Sequence, residues 1–260
     1  MNRNEVLGKI VCGGLVPIVV DDRLPAEACA EAVLQAGLEA LEISCRHPRS
    51  LEAIGRVKAR FPNLAVGAAS LIEDGPYRDF LAKGKAVPTI DEAAGAGADF
   101  LVSLLPFREP TYAKHAASRV IISGVTTPGE AHQALDWGAN LVKFSGLQTA
   151  GGPACLRGMD AATHRGFPFF VTGGMRPEVI GPYVEAQVLV FGAGFDIILG
   201  AELDAMSRRF APGVLTKALG RYTAAIAEAR AKHMPGVPFT GKDPFAIAAT
   251  SGRYLNHDRP

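Results

Sequence analysis

With 260 residues, 48 % of them hydrophobic and 20 % charged, the chain has globular composition and enough apolar material for a sizeable core, which excludes disorder and a disulfide-stapled miniprotein. Lys and Arg number 27 against 26 Asp and Glu, a formal charge of +1, so no long-range field draws the chain to nucleic acid or to an anionic membrane. The four cysteines, Cys12, Cys29, Cys45 and Cys155, are scattered without C-x-x-C pairing and read as reduced thiols of a cytoplasmic protein.

The amino-terminal stretch is apolar but is bracketed by Glu5 and the Asp21–Asp22 pair and lacks a small-residue cleavage site, so no signal peptide is expected. No run approaches the roughly 20 apolar residues of a membrane-spanning helix, and solubility is the expectation. From there, short apolar runs alternate with amphipathic stretches, the pattern of repeated βα units around a parallel sheet. Eight strands are predicted: Leu15–Val20, Ala40–Ser44, Leu64–Ala68, Asp99–Ser103, Arg119–Ser123, Asn140–Phe144, Pro168–Thr172 and Gln187–Gly192. Eight such units close a (β/α)8 TIM barrel. Between them Ala26, Cys29, Ala30, Val33, Leu34 and Gly37 form one helical stripe, and Leu51, Ile54, Val57 and Phe61 another.

The segments AGLEALEIS, AGADFLVS, WGANLVKFS and EAQVLVFG each pass from a helix end into an apolar strand, as every αβ junction of such a barrel must. Beyond the eighth strand a Pro212–Gly213 break precedes a long amphipathic helix carrying Leu215, Leu219, Tyr222 and Ile226. Residues 1–232 are therefore expected to form one barrel with its C-terminal helix, and 233–260, rich in Pro and Gly, an extended tail.

In such a barrel function sits at the carboxyl ends of the strands. Strand two ends near Glu42 and Arg46, strand three near Ser70 and strand six at Lys143; strands seven and eight run into the turns Thr172-Gly173-Gly174 and Gly192-Ala193-Gly194. Lys143 lies between apolar Val142 and Phe144. Burial there favours the neutral amine, the nucleophile that forms a Schiff base with a ketone. A strand-end lysine that reaches solvent or pairs with a carboxylate would look the same. Glu42, between Leu41 and Ile43, alternates to the opposite face, where desolvation would suit it to proton transfer; an inward structural partner for Arg46 or Lys143 fits the same pattern. Arg46 can clamp a carboxylate, and the glycine turns expose backbone N–H groups suited to an anion. The six histidines show no ligand spacing, and no metal is expected.

These residues and the segments VPIVV, AGLEALEISCR, VGAAS, SGVTTPGEA, LVKF, GGPACLRGM, FVTGGM and VLVFGAG, in order over residues 10–200, resemble the class I 2-keto-3-deoxy-6-phosphogluconate and 4-hydroxy-2-oxoglutarate aldolase family. The resemblance implies a barrel, a homotrimer, Lys143 as the Schiff-base lysine, Glu42 as the acid and base, Arg46 as the pyruvate-carboxylate ligand, and Ser70 in the place of a pyruvate-contacting threonine. Thr172, Gly173, Gly174, Gly192 and Gly194 are expected to bind substrate because the turns after strands seven and eight are the usual phosphate site of a barrel, although glycine there also simply permits a tight turn; no cofactor is expected beyond the lysine imine. The chain departs from the family's pattern at FSGLQ after the lysine and at Leu104-Leu105-Pro106 after strand four. It departs again at Gly194, where a hydroxyl ligand is lost and backbone donors remain, at an insertion over Glu73–Pro88 and in the longer tail. The insertion follows strand three and could act as a lid whose Arg78, Lys83 and Lys85 meet a distal anion, although charged loops are commonly just solvated.

The expected activity is reversible cleavage of a 2-keto-4-hydroxy acid, a 2-keto-3-deoxy sugar acid with or without a 6-phosphate, to pyruvate and an aldehyde. Competing readings are a metal-dependent pyruvate aldolase or phosphate-binding isomerase on the same barrel, and a non-catalytic keto-acid-binding relative.

Overall fold

Eight runs rich in Val, Ile, Leu, Phe and Ala have no polar side to offer water, and they fold as strands buried on both faces. They are β1 (Leu15–Val19), β2 (Ala40–Ser44), β3 (Ala65–Leu71), β4 (Phe100–Ser103), β5 (Val120–Gly124), β6 (Leu141–Ser145), β7 (Phe169–Thr172) and β8 (Val190–Gly194). In a computed structural model, which describes residues 1–255, each pairs in parallel with the next and β8 returns to β1, closing the barrel. The predicted strands coincide with these except at their ends. β3 runs past Ala68 to Leu71 because a register shift between Ala68 and Leu71 lets Ser103 Oγ donate to Leu71 O at 2.9 Å. β8 begins later than predicted because Gln187 takes a left-handed turn conformation with φ 66°.

The helices follow in order as α1 (Arg3–Gly13), α2 (Ala26–Gln35), α3 (Ser50–Arg60), α4 (Pro76–Ala82), α5 (Ile90–Gly95), α6 (Glu109–His115), α7 (Pro128–Trp137), α8 (Gly152–Ala162), α9 (Pro177–Glu185), α10 (Phe195–Leu199), α11 (Leu203–Arg208), α12 (Pro212–His233) and α13 (Pro244–Ser251). Capping explains several starts: Thr89 and Thr127 each form a capping box with a glutamate three residues on, at α5 and α7. No described helix is long and apolar enough to cross a membrane.

Two elements fall outside the expectations. α1 forms at the amino terminus because Asn2 and Glu5 make a capping box, and it packs against β1, β2, β3, β5 and β8 with Leu7 and Ile10 fully buried. The tail, expected to be extended, carries α13: Asp243 accepts from Phe245 N at 2.9 Å, Pro244 occupies the first turn, and Gly252 ends the helix in a left-handed conformation. Its last positions, 256–260, lie outside the described residues.

Buried cations tie these peripheral elements to the barrel. Arg230 of α12 donates to Val11 O, Cys12 O and Leu189 O at 2.6–2.7 Å and lies 3.7 Å from the centroid of the Phe239 ring. Three carbonyl acceptors satisfy most of a guanidinium whose pKa burial pulls down to about 10. Arg253 pairs with Asp160 at 2.5 Å, with 3 % and 7 % of the two side chains exposed. Tyr254 N donates to Gly166 O at 2.9 Å, and Ile247 and Leu255 are buried in the core.

The ladder register fixes which side chains enter the barrel. Ile18, Glu42, Gly67 and Phe100 are partners across β1 to β4, and Gly124, Lys143, Phe170 and Val190 across β5 to β8. Alternation then sends Ser44, Thr172, Gly192 and Gly194 to the same side as Glu42, Phe170 and Val190. Glycine is required within this lining. A Cβ on Gly67 would stand 2.1 Å from the Phe100 ring, and one on Gly192 2.8 Å from the Phe170 ring.

Candidate active site

β2 and β6 are not neighbours, yet Lys143 Nζ and Glu42 Oε2 lie 3.8 Å apart, so both side chains cross the lumen toward each other. Glu42 is fully buried, and neither carboxylate oxygen has a hydrogen-bond partner. A buried carboxylate with no donor is costly as the anion, and desolvation raises the pKa of Glu42 above the ordinary carboxylate value; the charge of Lys143 offsets this only in part. The pair is an ion contact too long for a hydrogen bond, which leaves room for a reacting group to come between them. Lys143 is 6 % exposed, and its Nζ lies 5.5 Å from the centroid of the Phe170 ring, which forms an apolar wall beside the amine.

Next to this pair, the end of β2 presents a polar relay. Ser44 Oγ accepts from Arg46 Nε at 3.0 Å and from Arg46 N at 3.4 Å, and it shares a hydrogen bond of 3.1 Å with Ser70 Oγ. The Arg46 side chain is exposed at the strand end and meets no carboxylate among the described residues. Ser70 reaches Ser44 from β3 because its backbone is left-handed, φ 60°, at the register shift that lengthens β3. A serine in that conformation bears strain of about 1 kcal/mol or more, a feature frequent at functional sites.

On the opposite side of the mouth the predicted glycine turns are covered. Gly173 (φ 89°) and Gly174 (φ 69°) turn the chain after β7, and Gln148 Nε2 donates to Gly174 O at 2.7 Å. A Cβ on Gly174 would meet Gln148 Oε1 at 2.9 Å, so the carboxamide lies directly over this glycine. A Cβ on Gly194 would meet Asp196 Oδ1 at 2.1 Å, so a carboxylate fills the space over that glycine. Thr172 is buried beside Gly192.

Glu42, Lys143, Arg46 and Ser70 thus share one mouth, with Thr172, Gly192 and Gly194 lining the β7–β8 side. The insertion behaves differently from the lid expectation for Arg78. That side chain donates to Val87 O at 2.7 Å and lies 3.4 Å from Asp74, so the loop itself engages it. The insertion's α4 instead exposes Tyr77 and Phe80. Ser44, Phe170, Gln148 and Asp196 escaped the reading of the sequence. For Ser44 and Phe170 a signal existed, since Ser44 shares the face of Glu42 two residues along and Phe170 lies opposite Lys143 on the next strand. Among the described residues, no group of three or more His, Cys, Asp or Glu side chains is placed to hold a metal ion.

Residues 9–206 match the family described as KDPG and KHG aldolase. The 2-dehydro-3-deoxy-phosphogluconate aldolase of Zymomonas mobilis is 29 % identical over 186 residues, 70 % of this chain and 81 % of that protein. The KHG/KDPG aldolase of Escherichia coli is 25 % identical over 199 residues, 75 % of this chain and 86 % of the relative. Among solved structures, the KDPG aldolase of Legionella pneumophila, with pyruvate captured as a covalent carbinolamine intermediate, superposes with a TM-score of 0.62 at 22 % identity, covering 82 % of this chain and 96 % of that one.

Proposed function

The chain belongs to the KDPG and KHG aldolase family, an aldolase and hence a lyase, and from that premise we propose that Lys143 is its Schiff-base nucleophile and Glu42 its acid and base. The substrate is a 2-keto-3-deoxy sugar acid, split reversibly into pyruvate and an aldehyde. The observation that carries the assignment is the orphaned, fully buried Glu42 carboxylate 3.8 Å from the Lys143 amine.

In cleavage the Lys143 amine adds to the C2 ketone and water leaves, giving a protonated imine. Glu42 takes the proton of the C4 hydroxyl, directly or through a water, the C3–C4 bond breaks, and its electron pair flows into the imine to give an enamine and the aldehyde. Glu42 then returns the proton to C3, and water releases pyruvate from the lysine. Its raised pKa matches this exchange, because the acid and base forms become closer in energy near neutral pH. Arg46, oriented by Ser44 and Ser70, grips the pyruvate carboxylate and fixes the imine in register with Glu42. Thr172 and the glycine turns line the far part of the pocket. A homotrimer, which rests on the family resemblance, and a cytoplasmic location, which rests on the scattered free cysteines, complete this reading.

Exchange of pyruvate methyl protons for deuterium, followed by NMR, tests the assignment without any aldehyde. The wild-type chain should exchange them, Lys143→Met should not, and Glu42→Gln should be slower by about 100-fold or more. Exchange that survives Lys143→Met would overturn the assignment.

A further inference from the structure

We infer that the aldehyde end of the substrate is an uncharged, hydroxylated chain without a phosphate, and that Asp196 is the residue that selects it. The inference rests on the aldolase reading and concerns the opposite end of the same pocket.

The turns after strands seven and eight are where a barrel of this type usually receives a phosphate, on backbone N–H groups that no side chain obstructs. Here both turns are obstructed from within the chain. Gln148 lies over Gly174, donating to its carbonyl at 2.7 Å, and the Asp196 carboxylate stands where a Gly194 side chain would be. The register shows which way Asp196 faces. Lys143 pairs with Phe170 and Phe170 with Val190, so Val190 shares the side of Lys143, and Gly194, four residues further along β8, returns to that side. Asp196 Oδ1 therefore occupies the lumen side of β8 at its carboxyl end, roughly 13 Å along the strand direction beyond the level of Lys143.

A carboxylate there repels a phosphate dianion and accepts hydrogen bonds from hydroxyls. The nearby cations do not reverse this. Arg23 lines one small hollow with Asp196 but is bound to Asp21 at 2.7 Å, Arg78 is engaged by Val87 O and Asp74, and Arg176 lines a separate hollow between α9, α10 and α12 together with Glu178 and Arg221.

The test compares glyceraldehyde with glyceraldehyde 3-phosphate as acceptors for pyruvate, read as the ratio of their kcat/KM values. A ratio is independent of how much of a variant folds. The wild-type chain should favour the unphosphorylated aldehyde by tenfold or more, and Asp196→Asn should move the ratio at least tenfold toward the phosphorylated one. A wild-type preference for the phosphate, equal rates, turnover of neither aldehyde, or a ratio unmoved by Asp196→Asn would overturn the inference. Pyruvate methyl exchange by the same wild-type preparation separates the two levels. Without exchange the aldolase assignment itself fails; with exchange, a failed ratio condemns the distal-end inference alone.

Discussion

The β2–β6 side of the barrel mouth and its β7–β8 side differ in what their polar groups leave open. On the first, the fully buried Glu42 comes within 3.8 Å of the Lys143 amine, with Arg46 at the end of the same strand as Glu42. On the second, Gln148 and Asp196 lie over the glycines Gly174 and Gly194. The contrast follows from chemistry. Breaking a C–C bond beside a ketone demands an electron sink and a proton carrier in fixed geometry, which tolerates little substitution. Holding the far end of a substrate demands only complementarity, which one carboxylate can re-specify.

Removing the sink should have the largest effect. Lys143→Met is expected to lower cleavage by about 10⁴-fold or more, measured as pyruvate release at saturating substrate, while the variant keeps a cooperative thermal melt. Glu42→Gln should cost about 10²–10⁴-fold in kcat and abolish the acidic limb of the rate profile. In the wild-type chain that limb should lie above the ordinary carboxylate range, because activity is lost as pH falls through the raised Glu42 pKa. The stability counterpart has the opposite sense. A carboxyl with a raised folded-state pKa contributes fully below its unfolded value and loses that contribution as pH rises through the folded one, so Glu42→Gln should flatten the alkaline decline of Tm attributable to this group.

Smaller effects should follow away from the reacting bonds. Arg46→Ala is expected to raise the pyruvate KM by about 10–100-fold, the worth of a lost charge-assisted hydrogen bond, and Ser44→Ala by less, since the serine orients Arg46 without carrying the charge. A loss of kcat with unchanged KM would instead place Arg46 among the proton-transfer groups. Arg253→Ala, on the opposite side of the comparison altogether, should cost about 3–5 kcal/mol of stability through the unpaired Asp160 and leave turnover per folded molecule unchanged, measured by denaturant melts and active-site titration.

Much of the barrel was legible because each strand is a contiguous apolar run, and the alternation that buries Glu42 and Lys143 is a property of neighbouring residues. Elements held by distant partners were not. α1 is recognisable only through the Asn2–Glu5 box, and the Arg253–Asp160 clamp that seats the end of the tail joins positions 93 residues apart. At the site, the order of the strands pointed to Lys143 and Glu42, whereas Gln148 and Asp196 act through turns whose direction depends on Gly174 and Gly194 leaving space for them. A glycine shows in a sequence as freedom of the backbone. What comes to occupy the space it leaves does not.

The most direct test of the central claim is peptide mapping after incubation with pyruvate and borohydride, which reduces a transient imine to a stable amine. The account predicts a single pyruvyl adduct on Lys143 that is absent from Lys143→Met. No adduct under conditions that label a known Schiff-base aldolase, or an adduct on another lysine that persists in Lys143→Met, would contradict it.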